Sequence, residues 1–151
     1  MFSTVRYFIK TSLIFLITGL LTGVYLSVSK YIFSLGASPE LITAHTHIIL
    51  VGTVMMMIMG VALWFFPKPD KDDKRYKPGL ILFTYYLITF STALRFIFQV
   101  MESFIFKSWL SYLITITSTL QVVAFIIFFY SMWGRIRSVG SHLREAKGER
   151  F

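Results

Sequence analysis

A chain of 151 residues that is 56% hydrophobic and 18% aromatic, with a mean hydropathy of +0.69, is far more apolar than a soluble domain and reads as a membrane protein. It contains no cysteine, which excludes disulfides, thiolate metal sites, iron–sulfur clusters and thioether-attached haem. The formal charge of +8 does not point to nucleic acid, because the basic residues gather at the ends of apolar segments, as topology determinants do.

Four apolar segments are each long enough for the ~20 residues that cross a bilayer. The first runs over about residues 7–33. It is too long, and too rich in later polar and aromatic residues, for a cleaved signal peptide, and no small-residue cleavage site follows it, so it is expected to stay. Its Gly19 and Gly23 form a small-xxx-small face suited to close helix contact, within the bundle or between protomers. The second segment, about 41–67, follows Ser38-Pro39-Glu40, a helix-start signal with a capping Ser, Pro at the first helical position and an acid in the first turn. It carries His45 and His47 near its start. Ionisable side chains at membrane depth are costly and usually functional. Two positions along an α-helix correspond to about 200° of rotation, so the two rings leave opposite sides and do not clasp one ion. Met55, Met56, Met57 and Met59 point in several directions around the helix, which favours packing over a soft-metal site.

Lys68 to Pro78, "KPDKDDKRYKP", is a solvated turn. The third segment, about 79–101, holds Arg95 and, one turn further along, Gln99. An arginine at that depth needs an anionic or polar partner; snorkelling, or pairing with Glu40 or Glu102, is the plain structural alternative. The fourth, about 109–133, is polar through its middle at Thr115, Thr117, Ser118, Thr119 and Gln121, side chains expected to face other helices. From Arg135 the chain is again basic. With four spans, both termini and the 68–78 loop share one side and nearly all the positive charge, against only Lys30 and Lys107 opposite. The positive-inside rule therefore sets both termini in the cytoplasm. The expected fold class is an all-α, integral membrane four-helix bundle, up-down-up-down, in the cytoplasmic (inner) membrane. Residues 1–134 are its transmembrane domain and 135–151 a basic cytoplasmic tail, solvated rather than bound to anionic lipid.

Ala44-His45-Thr46-His47, with the later Leu50, Gly52, Val54, Ile58-Met59-Gly60 and Trp64-Phe65-Phe66-Pro67, resembles the tenth helix of the catalytic subunit (subunit I) of haem-copper oxidases and nitric oxide reductases. That helix also begins at the outer face and stands between two haems. The resemblance covers about two dozen residues, and implies a reduced four-helix relative with a haem, b-type by preference, as cofactor. His45 matches the proximal ligand of the ligand-binding haem and His47 an axial ligand of the low-spin haem. The family's copper site uses three further histidines, whereas only His142, in the tail, is left here. No copper is expected, and the chain is not a complete terminal oxidase.

On that reading Arg95, assisted by Gln99, offers a guanidinium fork to haem propionates. Gly52, seven residues after His45 and on nearly the same face, leaves room for a porphyrin edge. Met101 is a candidate sixth ligand. A second axial histidine is missing from the chain, and a homodimer joined through the second helices would supply it; the alternative is a five-coordinate haem with an open position. The expected function is electron transfer near the outer face, with a quinol or a redox protein as partner, and membrane lipid around it. The alternatives are a diatomic-gas sensor or slow reductase, and a haem-free accessory or assembly subunit. No proton channel, catalytic triad, phosphate loop or nucleic-acid motif is present, and whether the chain is an enzyme stays open.

Overall fold

The computed structural model describes residues 2–67, 76–136 and 148. The chain folds as helices α1 (Phe2–Tyr31), α2 (Pro39–His47), a π-helical segment (Ile48–Met55), α3 (Met56–Phe65), α4 (Pro78–Glu102) and α5 (Ser108–Met132), closed by a 3-10 turn at Trp133–Arg135. α2, the π segment and α3 run on without a break as one rod, so the described residues form four helical rods, each long and apolar enough to cross a membrane. The protein is an all-helical, multi-pass membrane protein. The expected spans agree with these rods to within two residues at nearly every end. The exception is the start of α1, which reaches back to Phe2 because nothing between Phe2 and Tyr7 breaks a helix. The tail with His142 and the charged loop at 68–75 lie outside the described residues.

Proline sets two starts and one stop. Pro39 and Pro78 open α2 and α4 at positions whose N–H has no helical partner, and Pro67 lies just beyond the end of α3. Ser38 occupies the cap position of α2, but its hydroxyl donates to the Glu40 carboxylate, and its oxygen accepts from no backbone N–H among the described residues. Thr4 and Val5 of α1, Leu63 of α3, and Tyr76, Pro78 and Ile81 around the start of α4 line one small cavity. The beginning of the chain and the α3–α4 connection therefore share one end of the bundle, called here the terminal end; the α1–α2 and α4–α5 connections form the loop end.

The central rod packs against α1 on one side and α4 on the other, and α5 packs mainly along α4. The apolar core lies in the terminal half, where Phe8, Met56, Met59, Leu63, Ile81, Ile88 and Met132 are almost wholly buried. Met56 and Met59 pack into this core, while Met57 Sδ lies 3.7 Å from the Ser12 hydroxyl, so the methionine run serves packing. On α4 the buried positions Ile81, Thr84, Ile88, Ser91, Thr92 and Gln99 recur at helical spacing and form a seam toward its neighbours. Polar side chains on α5 divide: Thr117 and Gln121 are buried, whereas Thr115 and Thr119 face outward. The outward pair satisfy their hydroxyls on the carbonyls of Ser111 and Thr115, four residues earlier, which lets a threonine face lipid at little cost.

Arg135, assigned by charge pattern to the tail, is instead fully buried in the bundle. Its Nε donates to the Pro67 carbonyl at 2.8 Å, and its Nη2 donates to those of Leu63 and Phe66 at 3.0 and 2.9 Å. Tyr76 covers the guanidinium, its ring centroid 4.9 Å from Cζ. These carbonyls end α3 and lack helical partners, so one side chain from the 3-10 turn that follows α5 caps the central rod.

Candidate functional site

His45 and His47 leave opposite sides of α2, as their spacing requires. His45 turns to α1, where its Nδ1 lies 3.0 Å from the Gly19 carbonyl oxygen. That carbonyl is reachable because of Gly23: a Cβ there would sit 2.9 Å from His45 Cε1. A Cβ on Gly19 would overlap the Ile49 side chain. The Gly19/Gly23 face is thus used inside the bundle, as a cradle for an imidazole and the helix that bears it.

His47 turns to α4. Its Nδ1 donates to the Thr43 carbonyl at 2.9 Å, and its Nε2 accepts from Arg95 Nη2 at 2.9 Å, which fixes the neutral Nδ1–H tautomer. The other arm of the guanidinium, Nη1, donates to Gln121 Oε1 at 2.7 Å, and Gln121 Nε2 donates to Thr92 Oγ1 at 3.0 Å. One directional chain of hydrogen bonds thus joins α2, α4 and α5. Side chains lean toward the N-terminus of their helix, so Arg95 points into the bundle and does not snorkel to the loop end. Glu40 and Glu102 are engaged elsewhere, with the hydroxyls of Ser38 and Ser111. Arg95 therefore rests on neutral partners.

Two buried atoms of this region have no partner among the described residues: the donor Arg95 Nε and the acceptor Gln99 Oε1. They belong to side chains one turn apart on the same face of α4, and Gln99 is only 4% exposed. One hydroxyl would match both. Gln99 thus lies one turn from Arg95 on α4, with no hydrogen bond between the two among the described residues. Met101, six residues beyond Arg95 and ~9 Å further along the axis, contacts neither histidine through a hydrogen bond among the described residues. Gly52 lies on the α1 side with His45, but a Cβ there would sit 2.9 Å from the Phe15 ring. The space expected for a porphyrin edge is taken by that phenyl group, and the glycine is accounted for by helix contact.

The expected site residues therefore divide into two sets. His45, Gly52 and the α1 glycines face one way; His47, Arg95, Gln99 and Gln121 face the other. In both imidazoles Nδ1 is fixed on a backbone carbonyl, the arrangement that orients a metal-bound histidine and leaves Nε2 as ligand. The Nε2 of His45 is free of a hydrogen bond among the described residues, with the Cε1 edge of the ring against Gly23, whereas that of His47 is occupied by Arg95 and becomes available only if the guanidinium is displaced. No group of three or more His, Asp or Glu residues able to hold a metal ion forms among the described residues. The Gln121 link was not foreseen in its detail: the middle of α5 reads as polar, but its register against α4 has no local signal. Comparison with family models, curated proteins and solved structures gives no match.

Proposed function

We propose that this is a haem-holding, b-type-cytochrome-like protein of the cytoplasmic membrane that carries electrons near the outer face. The observation that carries the reading is His45, an imidazole at membrane depth, tied at Nδ1 to Gly19 with Nε2 uncommitted. The resemblance of the Ala44–Pro67 stretch to the haem-bearing helix of the oxidase family supports it. Basic residues around the terminal end support placing that end in the cytoplasm, which sets His45 and His47 toward the outer face. Haem, when bound, supplies a one-electron iron(II)/iron(III) couple. His45 would hold the iron through Nε2, with Gly23 leaving space for the imidazole and the Gly19 carbonyl fixing its tautomer. Arg95 has no carboxylate partner among the described residues, and its fork suits a propionate. A second histidine ligand would come from a second copy of the chain in a homodimer.

A second reading, a haem-free accessory subunit, is favoured by the His47–Arg95–Gln121 chain and by Phe15 at Gly52, both of which suit a closed helix contact. Absorption spectra of detergent-purified protein, produced with ample haem, separate the two. The haem reading expects a Soret band that His45→Ala abolishes and that Gly23→Leu weakens. Wild-type protein without a Soret band overturns it in favour of the accessory subunit. Carbon monoxide added to the reduced protein then tests for an open position: a shifted band marks a gas-binding site, an unmoved one a closed carrier.

A further inference from the structure

Between α1 and α4 at the loop end lies an apolar groove of about 330 Å³, walled by Leu21 and Tyr25, Leu41, Val100 and Phe104. A polar vestibule of about 120 Å³ adjoins it, sharing Tyr25, Leu41 and Phe104 and adding Ser38, Ser103, Gly36 and Ala37. Together they reach the ~300–1,000 Å³ of ligand sites, mostly apolar with a few placed polar groups. The combination of a long apolar part and a short polar head is the shape of an amphiphile.

The polar end defines the head. The Ser38 hydroxyl hydrogen goes to Glu40 and that of Ser103 to the Val100 carbonyl at 2.6 Å, so both oxygens present acceptor lone pairs to the vestibule. The N–H groups of Gly36 and Ala37 make no hydrogen bond among the described residues and present donors. No lysine, arginine or histidine lines either part, and the Glu40 carboxylate beside Ser38 repels an anionic head. A phosphate or fatty-acid carboxylate thus meets no cation. A neutral ring with oxygens that accept when oxidised and donate when reduced meets both kinds of partner, with the Tyr25 and Phe104 rings at the boundary where its own ring would lie.

We propose that the groove and vestibule bind a membrane quinone or quinol, the oxygenated ring in the vestibule and the prenyl tail in the groove. Leu41 lies one turn from His45 on the same face of α2, so the ligand would sit next to that imidazole. Binding is independent of iron, and the inference stands whether or not the chain holds haem.

The test is photolabelling of the detergent-purified full chain with an azido-substituted, short-tailed benzoquinone, read by peptide mass spectrometry. The expected result is labelling confined to residues 21–41 and to the Val100–Phe104 stretch, which line the groove and vestibule, and competed away by decylubiquinone. Val100→Trp, which fills the groove, should weaken decylubiquinone competition at least about tenfold, or 1.4 kcal/mol. Leu21→Trp fills it from a wall whose residue is 66% exposed, and keeps the test valid if Val100→Trp does not fold. Ser103→Val should weaken it about threefold by removing one acceptor, and Ile58→Trp, in a separate apolar groove on α3, should change nothing. Labelling spread over all four rods, or insensitive to both groove-filling variants, overturns the proposal. Competition by palmitate or phosphatidylethanolamine equal to that by decylubiquinone also overturns it, by marking an acyl-chain groove. A missing Soret band with groove-specific labelling would sink the haem reading and leave this one standing.

Discussion

Arg95 and Arg135 are both guanidinium groups taken into an apolar bundle with no carboxylate partner among the described residues, yet they are held in different ways. Arg135 gives its N–H groups to three backbone carbonyls at the end of α3 and lies under the Tyr76 ring, with no exposure at all. Arg95 gives two arms to side chains, His47 and Gln121, and leaves Nε without a partner. Backbone carbonyls at a helix end cannot turn away, and they carry the negative pole of the helix; an imidazole and an amide rotate. The first arginine is a fastening between α5 and the central rod, and the second is a contact that can be exchanged for another at the level of the histidines.

The largest effect should come from Arg135→Met, which strands three carbonyls at the end of α3. Buried unpaired acceptors cost ~1–3 kcal/mol each, so a loss on the order of 3 kcal/mol is expected in thermal unfolding followed by circular dichroism in detergent. Arg135→Lys should recover less than half of it, because a point-like ammonium does not span the three acceptors. Arg95→Leu should cost about 1–2 kcal/mol, since His47 and Gln121 can turn to other partners. If it costs as much as Arg135→Met, the contrast between fastening and exchangeable contact is wrong. A double-mutant cycle of Arg95→Leu with His47→Ala should give a coupling of ~0.6 kcal/mol, and no more than ~1.7, as for other hydrogen bonds between membrane helices. The smallest effect is expected for Glu102→Gln, below ~0.5 kcal/mol, because its carboxylate meets Ser111 and not Arg95. A larger loss that disappears in the Arg95→Leu background would reveal an ion pair between the two.

The four rods were legible in the sequence because hydropathy over ~20 residues has few competing explanations, and the opposed directions of His45 and His47 follow from helical rotation alone. Arg95 was recognisable from depth, though not its partners, since the register of α5 against α4 is decided by packing between residues far apart in the chain. Arg135 was misread for a physical reason: a basic residue at the end of a span looks the same whether it stays in water or folds back onto the carbonyls of a neighbouring helix. Ser38 illustrates the same limit on a smaller scale, because a cap position does not dictate which partner its hydroxyl takes, and here it donates to the Glu40 carboxylate. Gly52 was placed on the correct face, but a missing side chain says only that something approaches, and here that something is Phe15.

The π-helical segment was not legible at all, for it contains no proline and has only one glycine. Its wider turn shows in Thr53, whose hydroxyl reaches back five residues to the Ile48 carbonyl at 3.2 Å. Such a segment accommodates about one surplus residue between two stretches of ordinary α-helix. A deletion of one residue between Ile48 and Met55 should therefore leave both histidines and the packed face of α3 aimed as they are, while the same deletion in α4 would turn everything beyond it by about 100°. Any alignment of this chain with a shorter relative that forbids gaps inside membrane helices would then match the wrong residues on one side of Gly52, and the histidine pair would seem to be absent from a protein that retains it.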